Sequence, residues 1–112
     1  MRLPPLRDTD ADVIHRFLDA TWAESGLARQ TLDAYRRDLE GLARWREGAG
    51  GGLAGADRAA LFDYFAWRAH GGYSPRSNAR LLSGLRAVYA WLGGRGQRGD
   101  GPSALLGPPR RA

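Results

Sequence analysis

The side chains with the best-organised chemistry in this sequence are basic. Arg76 and Arg80 stand one helical turn apart in S-P-R-S-N-A-R-L-L-S, with Ser77 and Ser83 beside them and Arg86 at the edge of the same face. A guanidinium carries a planar fork of N–H donors that binds phosphate oxygens or takes guanine O6 and N7 together, and a helix fits the roughly 12 Å major groove of duplex DNA. The plainer reading is a solvated arginine face, which many exposed helices carry.

Charge distribution favours the first reading. All 17 basic residues of the 112-residue chain are Arg, and the formal net charge is +5. Residues 1–70 hold 10 Arg against 11 acids, whereas from Gly71 onward 7 Arg face the single Asp100. The net positive charge lies where Arg76 and Arg80 lie, and a polyanion such as double-stranded DNA is the natural partner.

Other chemistries are poorly supplied. There is no Cys, so disulfides and thiolate metal sites are excluded, and with no Lys the supply of nucleophiles is thin. His15 and His70 are the two histidines, one beside Arg16 and the other at a helix end where a basic residue is ordinary, and neither reads as a catalyst. No set of His and carboxylates has a metal-ligand spacing. The expectation is no catalytic residue, no metal, no cofactor and no small-molecule substrate. Gly50, Gly52 and Gly55 match G-x-G-x-x-G formally, but an amphipathic helix precedes them instead of a strand, so a mobile connector is expected over Gly48 to Gly55.

The elements that must position the basic face are helices. Ser74 followed by Pro75 marks a capped start, and at about 100° per residue Asn78, Leu81, Leu82, Leu85, Val88, Tyr89 and Leu92 fall opposite Arg76, Arg80, Ser83 and Ala87. A first helix is expected from Asp10 to Ser25, capped by Asp8, Thr9 or Asp10, with Val13, Ile14, Phe17, Leu18 and Trp22 as its stripe and Gly26 as its stop. A second runs from Ala28 to Glu47, with Asp33–Arg37 and Glu40–Arg44 as surface pairs. A third spans Asp57 to Ala69, with Leu61, Tyr64, Phe65 and Arg68 at helical spacing. Trp22, Trp45, Tyr64, Trp67 and Trp91 are assigned to the core or its rim.

The expected organisation is an extended arm over residues 1–9, a compact all-α four-helix domain over 10–93, and a flexible Pro/Gly-rich tail over 94–112 with one short turn at Ser103 to Leu106. Neither a signal peptide nor an apolar run of membrane-span length is present, and a soluble cytoplasmic protein is the default.

The order of these segments resembles a known family. Tyr73 to Leu92, together with L-A-R-Q-T-L-D-A-Y-R-R-D-L from Leu27 to Leu39, looks like the amino-terminal core-binding domain of tyrosine recombinases; F-L-D-A-T-W from Phe17 and G-P-S-A-L-L-G-P-P-R from Gly101 are similar to its flanking segments. The resemblance implies a four-helix SAM-like bundle forming half of a clamp around duplex DNA, with its second and fourth helices in the major groove. It implies DNA contacts from Arg76, Ser77, Arg80, Ser83 and Arg86, and from Thr31 and Arg37 on the second helix. It also implies partner recombinase subunits, four on two DNA sites, acting in chromosome-dimer resolution or mobile-element integration.

The family's catalytic Arg, Lys, His and Tyr belong to a domain that would follow this stretch, so no catalytic role is carried onto Tyr35, Tyr64, Tyr73 or Tyr89. From the residues alone a second class stays open: a helical protein-interaction module of SAM or death-domain type, using its Arg face against an acidic partner.

Overall fold

Short-range chemistry sets most of the helix boundaries. A computed structural model describes residues 3–48 and 52–94, which form α1 (Asp8–Ser25), α2 (Arg29–Gly48), α3 (Arg58–His70) and α4 (Pro75–Gly94), with no strand among the described residues. The all-α expectation holds. Residues 95–112, the turn expected at Ser103 to Leu106, residues 49–51 of the glycine loop and Met1 and Arg2 lie outside the described residues. The chain divides after Gly55 into two units, Met1–Gly55 and Ala56–Ala112.

In the first unit α1 begins earlier than its acids suggest. Arg7 occupies the cap position with extended backbone and no side-chain cap bond, so none of Asp8, Thr9 and Asp10 is the cap. Asp8 and Asp10 instead sit in the first turn, where the helix's unpaired amides favour negative charge. Asp10 also turns inward, is only 5% exposed, and its Oδ1 accepts the backbone N–H of Leu53 at 3.0 Å. Leu53 is fully buried, so its amide has left water and needs this acceptor. Gly26 ends α1 as expected, with φ of 63° and its N–H donated to the Trp22 carbonyl at 3.2 Å.

Packing of α1 on α2 buries Ile14 and Phe17 of the first helix and Leu32, Ala34, Leu39, Leu42 and Ala43 of the second. Trp22 departs from the stripe assigned to it: it is 53% exposed, in the last turn before the chain reverses, with the Arg29 guanidinium 6.0 Å from its ring. The surface pairs differ too. Among the described residues Glu40 pairs with Arg36 at 3.5 Å, and no ion pair joins Asp33 to Arg37. Arg44 donates from Nε to the Pro4 carbonyl at 2.8 Å and from Nη2 to the Leu3 carbonyl at 3.3 Å. Two partly buried hydrogen bonds outweigh an exposed i,i+4 pair worth a few tenths of a kcal/mol, roughly, and they bind the N-terminal arm to α2.

The described end of the glycine loop is anchored. Arg46 Nε donates to the Gly52 carbonyl at 3.2 Å, and Leu53 is held by Asp10. A Cβ on Gly52 would lie 2.8 Å from Asp10 Oδ1, so glycine here admits a carboxylate. That charge is the wrong sign for a phosphate cradle.

In the second unit Asp57 Oδ1 accepts the Ala60 N–H at 2.8 Å, the cap expected for α3. Three backbone bonds close its far end: Gly71 N–H to Trp67, Gly72 N–H to Ala69 and Tyr73 N–H to Arg68. The Ser74 hydroxyl accepts the Ser77 N–H at 3.1 Å and α4 starts at Pro75, again as expected. Leu81, Gly84, Leu85, Val88, Tyr89 and Leu92 line the buried side of α4, and Ala60, Leu61 and Tyr64 that of α3.

Candidate nucleic-acid interface

The two sides of α4 separate as the residue spacing requires. Leu81, Leu85, Val88 and Leu92 are buried, whereas Arg76, Arg80 and Ser83 are exposed on the opposite side and Arg86 is half-buried at its edge. Steps of four and three residues bring Arg76, Arg80 and Ser83 within about 60° of one another around the helix, on two successive turns. This is a row of two cations and a hydroxyl on a rigid, capped element.

Ser77 lies off that row and is half-buried. Its Oγ accepts a hydrogen bond from Arg68 Nη2 at 2.7 Å, while Arg68 Nε donates to Asn78 Oδ1 at 2.8 Å. Arg68 is 2% exposed, and its guanidinium carbon lies 4.2 Å from the Tyr73 ring centroid and 5.8 Å from that of Tyr64. The Trp67 ring sits 5.6 Å from Tyr64 and 6.3 Å from Tyr73. The start of α4 is thus fixed by a buried cation, two side-chain acceptors and an aromatic cluster.

Arg68 stands among the apolar positions of α3, where helical spacing alone gives it no role. The available signal was that Arg68 and Asn78, both polar, occupy the apolar stripes of two helices joined by a short turn.

On α2, Thr31 is half-buried in the first turn and Arg37 is exposed. Six positions put them about 120° apart around the helix axis, so they do not share a face in the way Arg76, Arg80 and Ser83 do. Elsewhere in the first unit a shallow groove of about 370 Å³ is lined by His15, Leu18, Asp19, Trp22, Arg29, Leu32, Asp33 and Arg36. His15 lies 3.2 Å from Asp19, and the mixed charges of this lining do not build a field of one sign. Among the described residues no group of three or more His, Cys or acidic side chains could hold a metal ion, and no helix is long and apolar enough to cross a membrane.

Residues 14–96 match the family described as Phage integrase, N-terminal SAM-like domain. The chain belongs to this family. It is 68% identical over 109 residues to the tyrosine recombinase XerD of Xanthomonas campestris pv. campestris, an alignment covering 97% of this chain and 34% of the relative. It is 51% identical over 79 residues to the XerD of Pseudomonas aeruginosa, covering 70% of this chain and 26% of that protein.

Among solved structures, the integrase from mycobacterium phage Brujita superposes with a TM-score of 0.71 at 24% identity, over 94% of this chain and 34% of that one, and so shares its fold. The chain spans about a third of the length of its XerD relatives and corresponds to the N-terminal domain of a tyrosine recombinase.

Proposed function

We propose that this chain is a duplex-DNA-binding module of a XerD-like site-specific recombinase, and that α4 is the helix it lays in the major groove. The observation that carries this reading is the exposed row of Arg76, Arg80 and Ser83 on the face of α4 opposite its buried leucines. A basic helix held rigidly on its apolar side can present guanidinium forks to phosphates or to guanine edges. Arg86 reaches a flanking phosphate, and the exposed Arg37 adds a contact from α2.

In this reading the module grips DNA and the rest of the recombinase breaks and rejoins strands. Grip by four such subunits on two sites would hold the scissile phosphates for that chemistry, in chromosome-dimer resolution or mobile-element integration. No catalytic residue, metal or cofactor is assigned to the module itself.

Fluorescence anisotropy with a labelled linear duplex of mixed sequence, competed by poly-glutamate, tests the reading. Displacement of the duplex only by excess unlabelled DNA is the expected result. Equal displacement by poly-glutamate would instead favour a protein-interaction module that binds acidic partners through its arginines.

A further inference from the structure

The Arg68 cluster leaves one hydroxyl donor at the start of α4. Arg68 Nη2 donates to Ser77 Oγ at 2.7 Å, and the Ser77 backbone N–H is taken by Ser74 Oγ at 3.1 Å. A serine hydroxyl carries one hydrogen and two lone pairs, and a guanidinium accepts nothing, so the Ser77 hydrogen must point away from Arg68. Among the described residues it meets no acceptor. Because the cation pulls on the oxygen's lone pair, the hydroxyl becomes a stronger donor than a solvated serine.

Arg68 is itself tightly placed. Asn78 Oδ1 holds its Nε at 2.8 Å, the Tyr73 ring lies 4.2 Å from its guanidinium carbon, and its backbone carbonyl accepts the Tyr73 N–H at 3.1 Å. One buried side chain therefore spans the turn between α3 and α4 and sets the rotamer of a hydroxyl in the same helical turn as Arg76.

We propose that Arg68 is a positioning residue for DNA binding: it holds the Ser77 hydroxyl, beside the row of Arg76 and Arg80, as a donor to a backbone phosphate oxygen. The proposal rests on the reading of the chain as a DNA-binding module. Arg68 touches no DNA; it acts through Ser77.

The test is a double-mutant cycle on DNA affinity, measured on the 112-residue chain with a mixed-sequence linear duplex at low salt. Ser77→Ala should weaken binding about tenfold, the loss of one charge-assisted hydrogen bond. Arg68→Lys should cost about as much when Ser77 is present, but no more than about twofold in the Ser77→Ala background, because the two act as one unit. Ser77→Thr, which restores the hydroxyl, should bind within about threefold of the unaltered chain.

Equal losses from Arg68→Lys in both backgrounds would mean a purely structural role and overturn the proposal. Should Arg68→Lys not fold, the side-chain N–H resonances of Arg68 in the unaltered chain give the answer. They should move downfield on adding duplex and stay in place when Ser77→Ala is titrated; no movement in the unaltered chain overturns the proposal. Binding that depends on Arg76 and Arg80 yet shows no coupling sinks the Arg68 role alone, whereas absence of DNA binding sinks it together with the functional reading.

Discussion

The Asp10 carboxylate accepts the backbone N–H of Leu53, 43 residues later in the chain, at 3.0 Å. It ties the first turn of α1 to the loop that follows α2. Its second oxygen, Oδ2, is buried with no partner among the described residues, so the anchor depends on Oδ1. Asp10→Ala leaves the Leu53 amide unsatisfied and should lower the unfolding free energy in urea by about 1–3 kcal/mol. Asp10→Asn retains an acceptor and should lose less; equal losses would show that the hydrogen bond does not matter.

Gly52 shares this site. Gly52→Ala would place a methyl 2.8 Å from Asp10 Oδ1 and should cost on the order of 1–3 kcal/mol. The same substitution in an Asp10→Ala background should be nearly neutral, because the oxygen it meets is gone. Thermal unfolding of the four proteins measures this coupling, and an undiminished penalty would place the strain elsewhere.

Arg44 fastens the N-terminal arm to α2 through the Pro4 and Leu3 carbonyls, with Arg7 and Glu47 pairing nearby at 3.1 Å. Arg44→Ala should cost about 1 kcal/mol in stability and open the arm to proteolysis before the helices are cut. An arm cleaved no faster than in the unaltered chain would argue against this attachment.

Three helix ends were the most legible part of the fold, whereas the start of α1, at Arg7, was not. Asp57 before α3, Ser74 and Pro75 before α4, and Gly26 after α1 act on atoms within four residues of themselves, so residue type and spacing were enough to place them. Asp57→Ala and Ser74→Ala should each cost about 1 kcal/mol by denaturant titration, and a loss confined to one of them would single out the other cap as redundant.

What the spacing could not reveal runs through long-range contacts. Asp10 reads as one of three interchangeable caps until Leu53 is placed beside it. Arg44 reads as a partner for Glu40 until the arm's carbonyls arrive from 40 residues away. Arg68 was legible as a position on the apolar stripe of α3, but its acceptors lie nine and ten residues on, across a turn whose path the sequence does not dictate. The two-faced character of α4 was legible because helical periodicity alone separates Arg76, Arg80 and Ser83 from the buried leucines. Thr31 and Arg37 rest on family likeness, and periodicity places them on different sides of α2.

The salt dependence of DNA affinity tests the central claim most directly. If Arg76 and Arg80 each neutralise one phosphate, Arg76→Ala and Arg80→Ala should each weaken binding and flatten the slope of log affinity against log salt by about 0.9. The double substitution should flatten it by about twice that. Full affinity and an unchanged slope in both single variants would contradict the assignment of α4 as the helix that meets DNA.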